Sequence, residues 1–415
     1  MTPEAHRSRI FAWTLFDFAN TAFSVIIVTV IYSTYFIDHV AGGRRWLWGL
    51  AVSLSMICAA LLSPPLGAAA DVSRNRKKFL FLFTLLSVVC TALLFFVRED
   101  MIILGMLLFI LANIGFEGGL VFYDAFLPSL SPKHTYGRVS GYGFAMGYVG
   151  ALVVLLIVIL VLPEASDPSF LFFVRFSFVI AAAFFFLFSL PMFLFVPEPA
   201  LVEQPTGSYV RRGIREAGMT FRSLFVSNEH PSIARFLIAF FLYNDGILTV
   251  IAFAAPFAKG ILGMSYSQII LFFAIVQTSA VIGSIVFGVV TDKIGPKKTI
   301  NITLPIWIGV CIGSYFVGTV AEFYAIGLVA GVAIGSSQSA SRSLMALLTP
   351  KEREAEFFGF YDGLCGKASA VIGPLVYGGI SDLSNERFAA LFIGMFFIGG
   401  LFLLQRVVEP PHGIT

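Results

Sequence analysis

The chain of 415 residues is short of charge: Asp, Glu, Lys and Arg make up only 12% of it, about half the share in an ordinary soluble domain. Histidine is also scarce. His6, His39, His134, His230 and His412 all lie outside the long apolar runs. Cys58, Cys90, Cys311 and Cys365 sit singly inside apolar runs, so they have no metal-ligand spacing and imply no disulfide. They read as small buried hydrophobes. There is no Walker phosphate loop, no His-Glu-x-x-His and no Gly-x-Ser-x-Gly. These absences argue against ATP drive, zinc proteolysis and a serine-hydrolase elbow. No enzyme activity, cofactor, metal or nucleic-acid partner is expected.

What the chain has in quantity is hydrophobic sequence. It is 58% hydrophobic, with 46 phenylalanines and a mean hydropathy of +0.90. Length alone would suggest two or three soluble domains, but the apolar runs overrule that. A run of about 20 apolar residues crosses a bilayer as a helix. Twelve such spans are predicted, at 10–37, 46–70, 78–97, 101–128, 138–162, 170–196, 233–258, 267–291, 299–318, 322–348, 356–381 and 387–407. The first is too long for a signal-peptide core and reads as an uncleaved span. The connections are short except for 198–231, which gives a division into 1–197, a linker at 198–231, and 232–415. Of the 27 Lys and Arg residues, 19 fall on the side of the N-terminus and five on the other. By the positive-inside rule both termini and the linker are cytoplasmic. In the linker, Val210, Ile214, Phe221 and Phe225 recur at helical spacing, and Arg211, Arg212, Arg215 and Arg222 fill another face. That pattern predicts an amphipathic helix on the membrane surface, against a plain solvated tether.

One short polar stretch occurs twice. Gly288-Val-Val-Thr-Asp292-Lys-Ile-Gly295-Pro-Lys297-Lys298 repeats Gly67-Ala-Ala-Ala-Asp71-Val-Ser-Arg74-Asn-Arg76-Lys77-Lys78, with both the glycines and the acids 221 residues apart. Such a period in this chain means two copies of one half, the mark of transporters with a central site between repeats. Each Asp ends a span and can meet a neighbouring helix N-terminus, where the dipole favours an anion. The two loops are therefore expected to latch one arrangement of the halves. A second match joins Pro132–Gly141 to Pro350–Gly359, each a nine-residue step. Here the prolines end helices, and the glycines offer a packing face.

Ionisable residues inside spans are costly and face protein or water. Asp17, Asn20 and Ser24 share one face of the first span; Tyr243, Asn244 and Asp245 hold a comparable place in the seventh. Glu117 and Asp124 lie at i, i+7 in the fourth span. Gln338, with Arg342 one turn on, lies in the tenth, and the 221-residue period maps Glu117 onto Gln338. Tyr361, Asp362 and Lys367 add polar groups to the eleventh. A lone carboxylate at mid-bilayer is neutral or paired, because burial penalises its charged form. Glu117 therefore reads as a proton site, as a partner for a substrate cation, or as the permanent ion-pair partner of Arg342. Asp124, near the end of its span, is assigned to the latch.

The twice-occurring loops resemble the signature loop of the major facilitator superfamily, with Arg74 standing where the turn glycine belongs. More narrowly, five segments together resemble the vacuolar amino-acid effluxers of autophagy and their bacterial relatives. They are Trp13–Phe23, Phe122–Pro128, Leu242–Gly246, Gln338–Ser343 and Phe357–Tyr361 with Gly366-Lys367. Phe16, Thr21 and Asp124 depart from that pattern, where Tyr, Ser and Asn are expected.

The resemblance implies an all-α polytopic membrane protein of twelve transmembrane helices in two pseudo-symmetric six-helix bundles. Spans one, four, seven and ten would surround a central cavity. It also implies secondary active transport of a small polar or zwitterionic solute by alternating access. Binding is expected at Asp17, Asn20, Glu117, Tyr243, Asn244, Asp245, Gln338, Arg342, Tyr361 and Lys367, with Glu117 and Asp245 as proton sites. The gate is expected at Gly67, Asp71, Arg76, Lys77, Asp124, Gly288, Asp292, Gly295, Lys297 and Lys298. The setting would be a monomer in a bacterial cytoplasmic membrane, with the bilayer and a small solute as partners and protons as the coupling ion. The alternatives are a non-transporting receptor on the same fold and an exporter of amphiphiles.

Overall fold

A computed structural model describes residues 3–164, 166–198, 209–227 and 229–410. Among the described residues, eleven helices are long and apolar enough to cross a membrane: His6–Val40, Arg45–Ser73, Arg76–Phe96, Ile102–Leu130, Lys133–Val161, Phe170–Phe195, Pro231–Leu262, Gln268–Ile294, Pro296–Phe316, Val320–Leu348 and Glu386–Gln405. These are spans 1 to 10 and span 12 of a twelve-span, two-bundle architecture. Helices are the favoured solution because lipid offers no partner to a free backbone N–H or C=O. Pro231 and Pro296 open spans 7 and 9 at a first position, where the missing N–H costs nothing.

The eleventh span corrects the expectation of a continuous helix over 356–381. It is a broken helix: Glu354–Phe358, a π-helical segment Gly359–Gly366, and then Ile372–Leu383 after a gap. Gly359, Gly363 and Gly366 weaken the π-helical segment, and neighbouring side chains take up the freed backbone groups. Both carboxylate oxygens of Asp245 accept from the Gly373 N–H, at 2.8 and 2.9 Å. Ser369 Oγ donates to the Gly366 carbonyl at 2.8 Å. Span 1 is irregular too, with π-helical stretches at Ser24–Val30 and Phe36–Val40.

The repeated turns share a positive φ but not a conformation: Gly295 has φ +93° and ψ +149°, and Arg74, at the same point of the other half, φ +52° and ψ +32°. Arg74 thus takes a left-handed geometry that suits glycine better, and its guanidinium reaches Glu352 at 2.7 Å.

The halves meet along two seams at the basic end of the bundle, span 2 on span 11 and span 5 on span 8. Small residues allow the approach. A Cβ on Gly67 would collide with the Ala355 carbonyl, and one on Gly359 would lie 2.7 Å from the Ser63 carbonyl. A Cβ on Gly137 would lie 2.6 Å from the Gly288 carbonyl. Toward the opposite end, Ile372–Leu383 packs on spans 7 and 12 of its own half. Span 1 packs on spans 5 and 6, and span 7 on spans 10, 11 and 12.

The linker forms a helix at Tyr209–Phe225, and Ile214, Phe221 and Phe225 are exposed as the amphipathic reading expects. The side chain of Val210 lies outside the described residues. A stripe that periodicity alone did not single out, with Ala217, Thr220 and Leu224, is buried against span 2.

Candidate functional site: the charged seam

Arg342 is 2% exposed and reaches from span 10 into the opposite half. One terminal nitrogen (NH1) lies 2.9 Å from Asp124 Oδ1 and 3.3 Å from Asp17 Oδ2. Its Nε donates to Ser140 Oγ at 2.9 Å and its other terminal nitrogen to the Ser140 carbonyl at 2.8 Å. The guanidinium lies 4.0 Å from the Phe144 ring centroid and 4.9 Å from that of Trp13. Tyr123 OH donates to Asp17 Oδ2 at 2.8 Å, and Trp13 Nε1 donates to the Tyr123 carbonyl at 3.1 Å. Gly143 is required by this crowding, since a Cβ there would lie 2.5 Å from Asp17 Oδ2.

A second cluster sits higher in the seam. Lys367, at the break in span 11, pairs with Glu117 of span 4 and, at 3.2 Å, with Asp362. Tyr148 OH of span 5 donates to Gln338 Oε1 of span 10. Four carboxylates therefore face two cations, and every ion pair but Lys367–Asp362 crosses between the halves. Fork geometry and ring stacking suit arginine to the lower cluster. A lysine at the break presents a compact point charge.

The two repeated loops join the halves at the basic end. Asp71 accepts from the backbone N–H groups of Ala355 and Glu356, at 3.2 and 2.8 Å, where span 11 begins. Arg76 Nε donates to Asp71 Oδ1 at 2.6 Å, and the same guanidinium pairs with Glu354. In the matched place, Asp292 accepts from Arg138 N and Nε at 3.1 and 3.0 Å, at the start of span 5. Each acid thus meets a helix N-terminus in the other half, as the repeat predicts.

A family model described as "Vacuole effluxer Atg22 like" matches residues 48–413. The chain belongs to the Atg22-like family. Among its relatives, an uncharacterized MFS-type transporter of Bacillus subtilis, YxiO, is 29% identical over 96% of this chain and 94% of its own. Autophagy-related protein 22-1 of Penicillium rubens is 25% identical over 83% and 72%. Among solved structures, the human organic anion transporter MFSD10 superposes with TM-score 0.78 at 15% identity, covering 98% and 100% of the two chains. The xylose symporter XylE does so with TM-score 0.77 at 16% identity, covering 99% and 97%. At these identities the structural likeness establishes the major facilitator fold. This Atg22-like chain is an integral, multi-pass membrane protein of a transporter family.

The Atg22-like site departs from the expected assignments in four ways. Glu117 pairs with Lys367, not with Arg342. Asp124 belongs to the Arg342 cluster, not to the latch. The reason is depth: seven residues separate Glu117 from Asp124, about 10 Å along a helix, and Arg342 lies one turn toward the basic end from Gln338, the counterpart of Glu117. Lys77 and Lys297 stay within their own halves. Lys77 donates to the Val196 carbonyl at 2.7 Å, and Lys297 to the Gln405 and Val407 carbonyls at 3.0 and 2.7 Å. Lys298 is exposed, so only Arg76 among the assigned cations joins a latch between the halves. Finally, Asn244 and Asp245 hold the break in span 11 instead of joining either cluster; Asn244 Nδ2 donates to Ser369 Oγ at 2.7 Å.

Asn20 stays beside Asp17, with Nδ2 3.5 Å from its Oδ1. Tyr243 OH shares a hydrogen bond with Ser341 Oγ at 2.7 Å, and Tyr361 packs its ring 4.2 Å from that of Phe240. Sequence reasoning missed Ser140, Phe144 and Tyr148, whose only signal was their nearness to the glycine run of span 5. It also missed Tyr123, although that residue stands within the Phe122–Pro128 motif.

The new place of Asp245 carries a prediction. Asp245→Asn keeps an oxygen acceptor for the Gly373 N–H, so stability and any proton coupling should stay near wild type. Asp245→Ala leaves that N–H unpaired and should cost about 1.5–3 kcal/mol. Thermal unfolding compares the two variants; proton uptake by Asp245→Asn liposomes that fell to background would restore Asp245 to the proton sites.

Proposed function

We propose that this protein moves a small zwitterionic solute, an amino acid or a related metabolite, by alternating access. The halves 1–197 and 232–415, joined by 198–231, rock about the charged seam. The basic end and both termini face the cytoplasm of a bacterial cell, and the closed latches make this the outward-open arrangement. The observation that carries the reading is the charge count at the seam. Asp17, Asp124, Glu117 and Asp362 outnumber Arg342 and Lys367 by two, within a region that is almost wholly buried.

Opening the basic end separates these pairs, and an uncompensated buried charge costs several kcal/mol. A solute ammonium can replace a cation beside Asp17 and Asp124, while its carboxylate takes the guanidinium fork of Arg342. The excess of acids supports protons as the coupling ion, with Glu117 as the acceptor when Lys367 leaves it. The chain would act as a monomer.

Counterflow of labelled amino acids in proteoliposomes tests this. Asp17→Asn removes the acid that would face the solute ammonium, Lys367→Gln leaves Glu117 and Asp362 without their cation, and each should lower apparent affinity by at least about thirtyfold, the equivalent of 2 kcal/mol. Collapse of the proton gradient should abolish accumulation but not counterflow. Amino-acid counterflow of wild-type size in both variants would remove the seam as the binding site.

A further inference from the structure

The linker helix Tyr209–Phe225 presents three neighbouring stripes. Gly213, Ala217, Thr220 and Leu224 are buried against the bundle. Gly213 leaves no room for a side chain, since a Cβ there would lie 2.8 Å from that of Ala69 and collide with the Pro65 carbonyl. The next stripe, Ile214, Phe221 and Phe225, is exposed, with the two rings 5.0 Å apart. Beyond it Arg212, Arg215 and Arg222 are exposed as well.

Span 2 sets the depth of this helix. It ends at Ser73, so Ala69 and Pro65 lie about 6 and 12 Å inside that end, at 1.5 Å per residue. Amphipathic helices bury their apolar faces about 5–10 Å into the boundary between headgroups and acyl chains. In a bilayer whose surface lies near the end of span 2, the aromatic stripe would meet acyl chains and the arginines would meet headgroups.

We propose that the linker helix is a seat for anionic lipid headgroups and that it transmits their presence to the latch. Thr220, on the buried stripe, hydrogen-bonds the guanidinium of Arg353. Arg353 Nε donates to Glu356 at 2.9 Å, and the Glu356 backbone N–H is held by Asp71 at 2.8 Å. A helix pinned flat by lipid holds Arg353 in place, and Arg353 stiffens the start of span 11 where the halves lock. A zwitterionic headgroup brings no net charge to the arginines. At an anionic surface each arginine gains a preference of about fivefold.

Hydrogen–deuterium exchange of the full-length protein tests this, in nanodiscs of phosphatidylcholine alone or with phosphatidylglycerol. Phosphatidylglycerol should slow exchange over 209–225 and also over 354–358. The triple variant Arg212→Gln/Arg215→Gln/Arg222→Gln should lose both effects, by about fivefold in protection per arginine. Arg353→Ala should keep the first effect and lose the second. Equal exchange in the two lipids, or a response that survives the triple variant, would overturn the lipid seat. Equal protection from inorganic phosphate in phosphatidylcholine discs would overturn the assignment to lipid. A 354–358 response that persists in Arg353→Ala would overturn the link to the latch. Solute flux does not enter this readout, so its outcome is independent of the transport reading.

Discussion

Arg342→Ala is expected to lower stability by about 3–5 kcal/mol, the range for removing one partner of a buried ion pair. The variant leaves Asp17 and Asp124 facing each other in a buried site, with Ser140 Oγ and its carbonyl stripped of their donors. It also removes a guanidinium stacked between Phe144 and Trp13, leaving a cavity. Adding Asp17→Asn and Asp124→Asn removes the repulsion and should recover more than half of the loss. Arg342→Lys should recover little, because an ammonium has no fork to span Asp124, Asp17 and Ser140 at once. Thermal unfolding in lipid nanodiscs reads all of these variants. A loss under about 1 kcal/mol in the alanine variant, or no recovery in the triple variant, would mean that the pairs are not charged as drawn.

How much of this was open to the sequence depends on the kind of fact. The twelve spans and the duplication are legible because they are written along the chain. Apolar length marks a helix, and Asp71 and Asp292 stand at one fixed separation. The identities of most seam residues are legible for a related reason, since a charge within an apolar run must face inward. Partners are a different matter. Glu117 and Arg342 look suited to each other on spacing alone, and depth alone assigns Glu117 to Lys367 and Asp124 to Arg342. The break in span 11 was hidden because glycine also serves close packing, and Gly359 does pack on Ser63 while lying within the π-helical segment. In the linker helix, Gly213 and Thr220 form a packing stripe without a hydrophobic signal, so periodicity found the lipid-level stripe and passed over the one that touches protein.

The second large effect is expected at Asp71, and its size follows from the inequality of the two latches. Asp71 is almost wholly buried, accepts two backbone N–H groups across the seam and is bound by an Arg76 that is equally buried. Asp292 accepts one such N–H, from Arg138, and faces an Arg138 side chain that is 45% exposed. Hydrogen bonds to a charged group are worth about 1.5–3 kcal/mol each, whereas an exposed ion pair contributes about 0–1 kcal/mol. Asp71→Ala should therefore shift the balance toward a parted basic end by at least about a hundredfold, and Asp292→Ala, which loses one such bond instead of two and an exposed pair instead of a buried one, by about tenfold. Lys78 and Lys298 are exposed, one in each half at that end, so spin labels there report the separation, in a chain whose four native cysteines are changed to alanine. Asp71→Ala should move the distance distribution to longer values, and Asp292→Ala should leave most of it in place. Equal shifts would mean that the latches act as one symmetric pair, and that burial at Asp71 adds nothing to the lock.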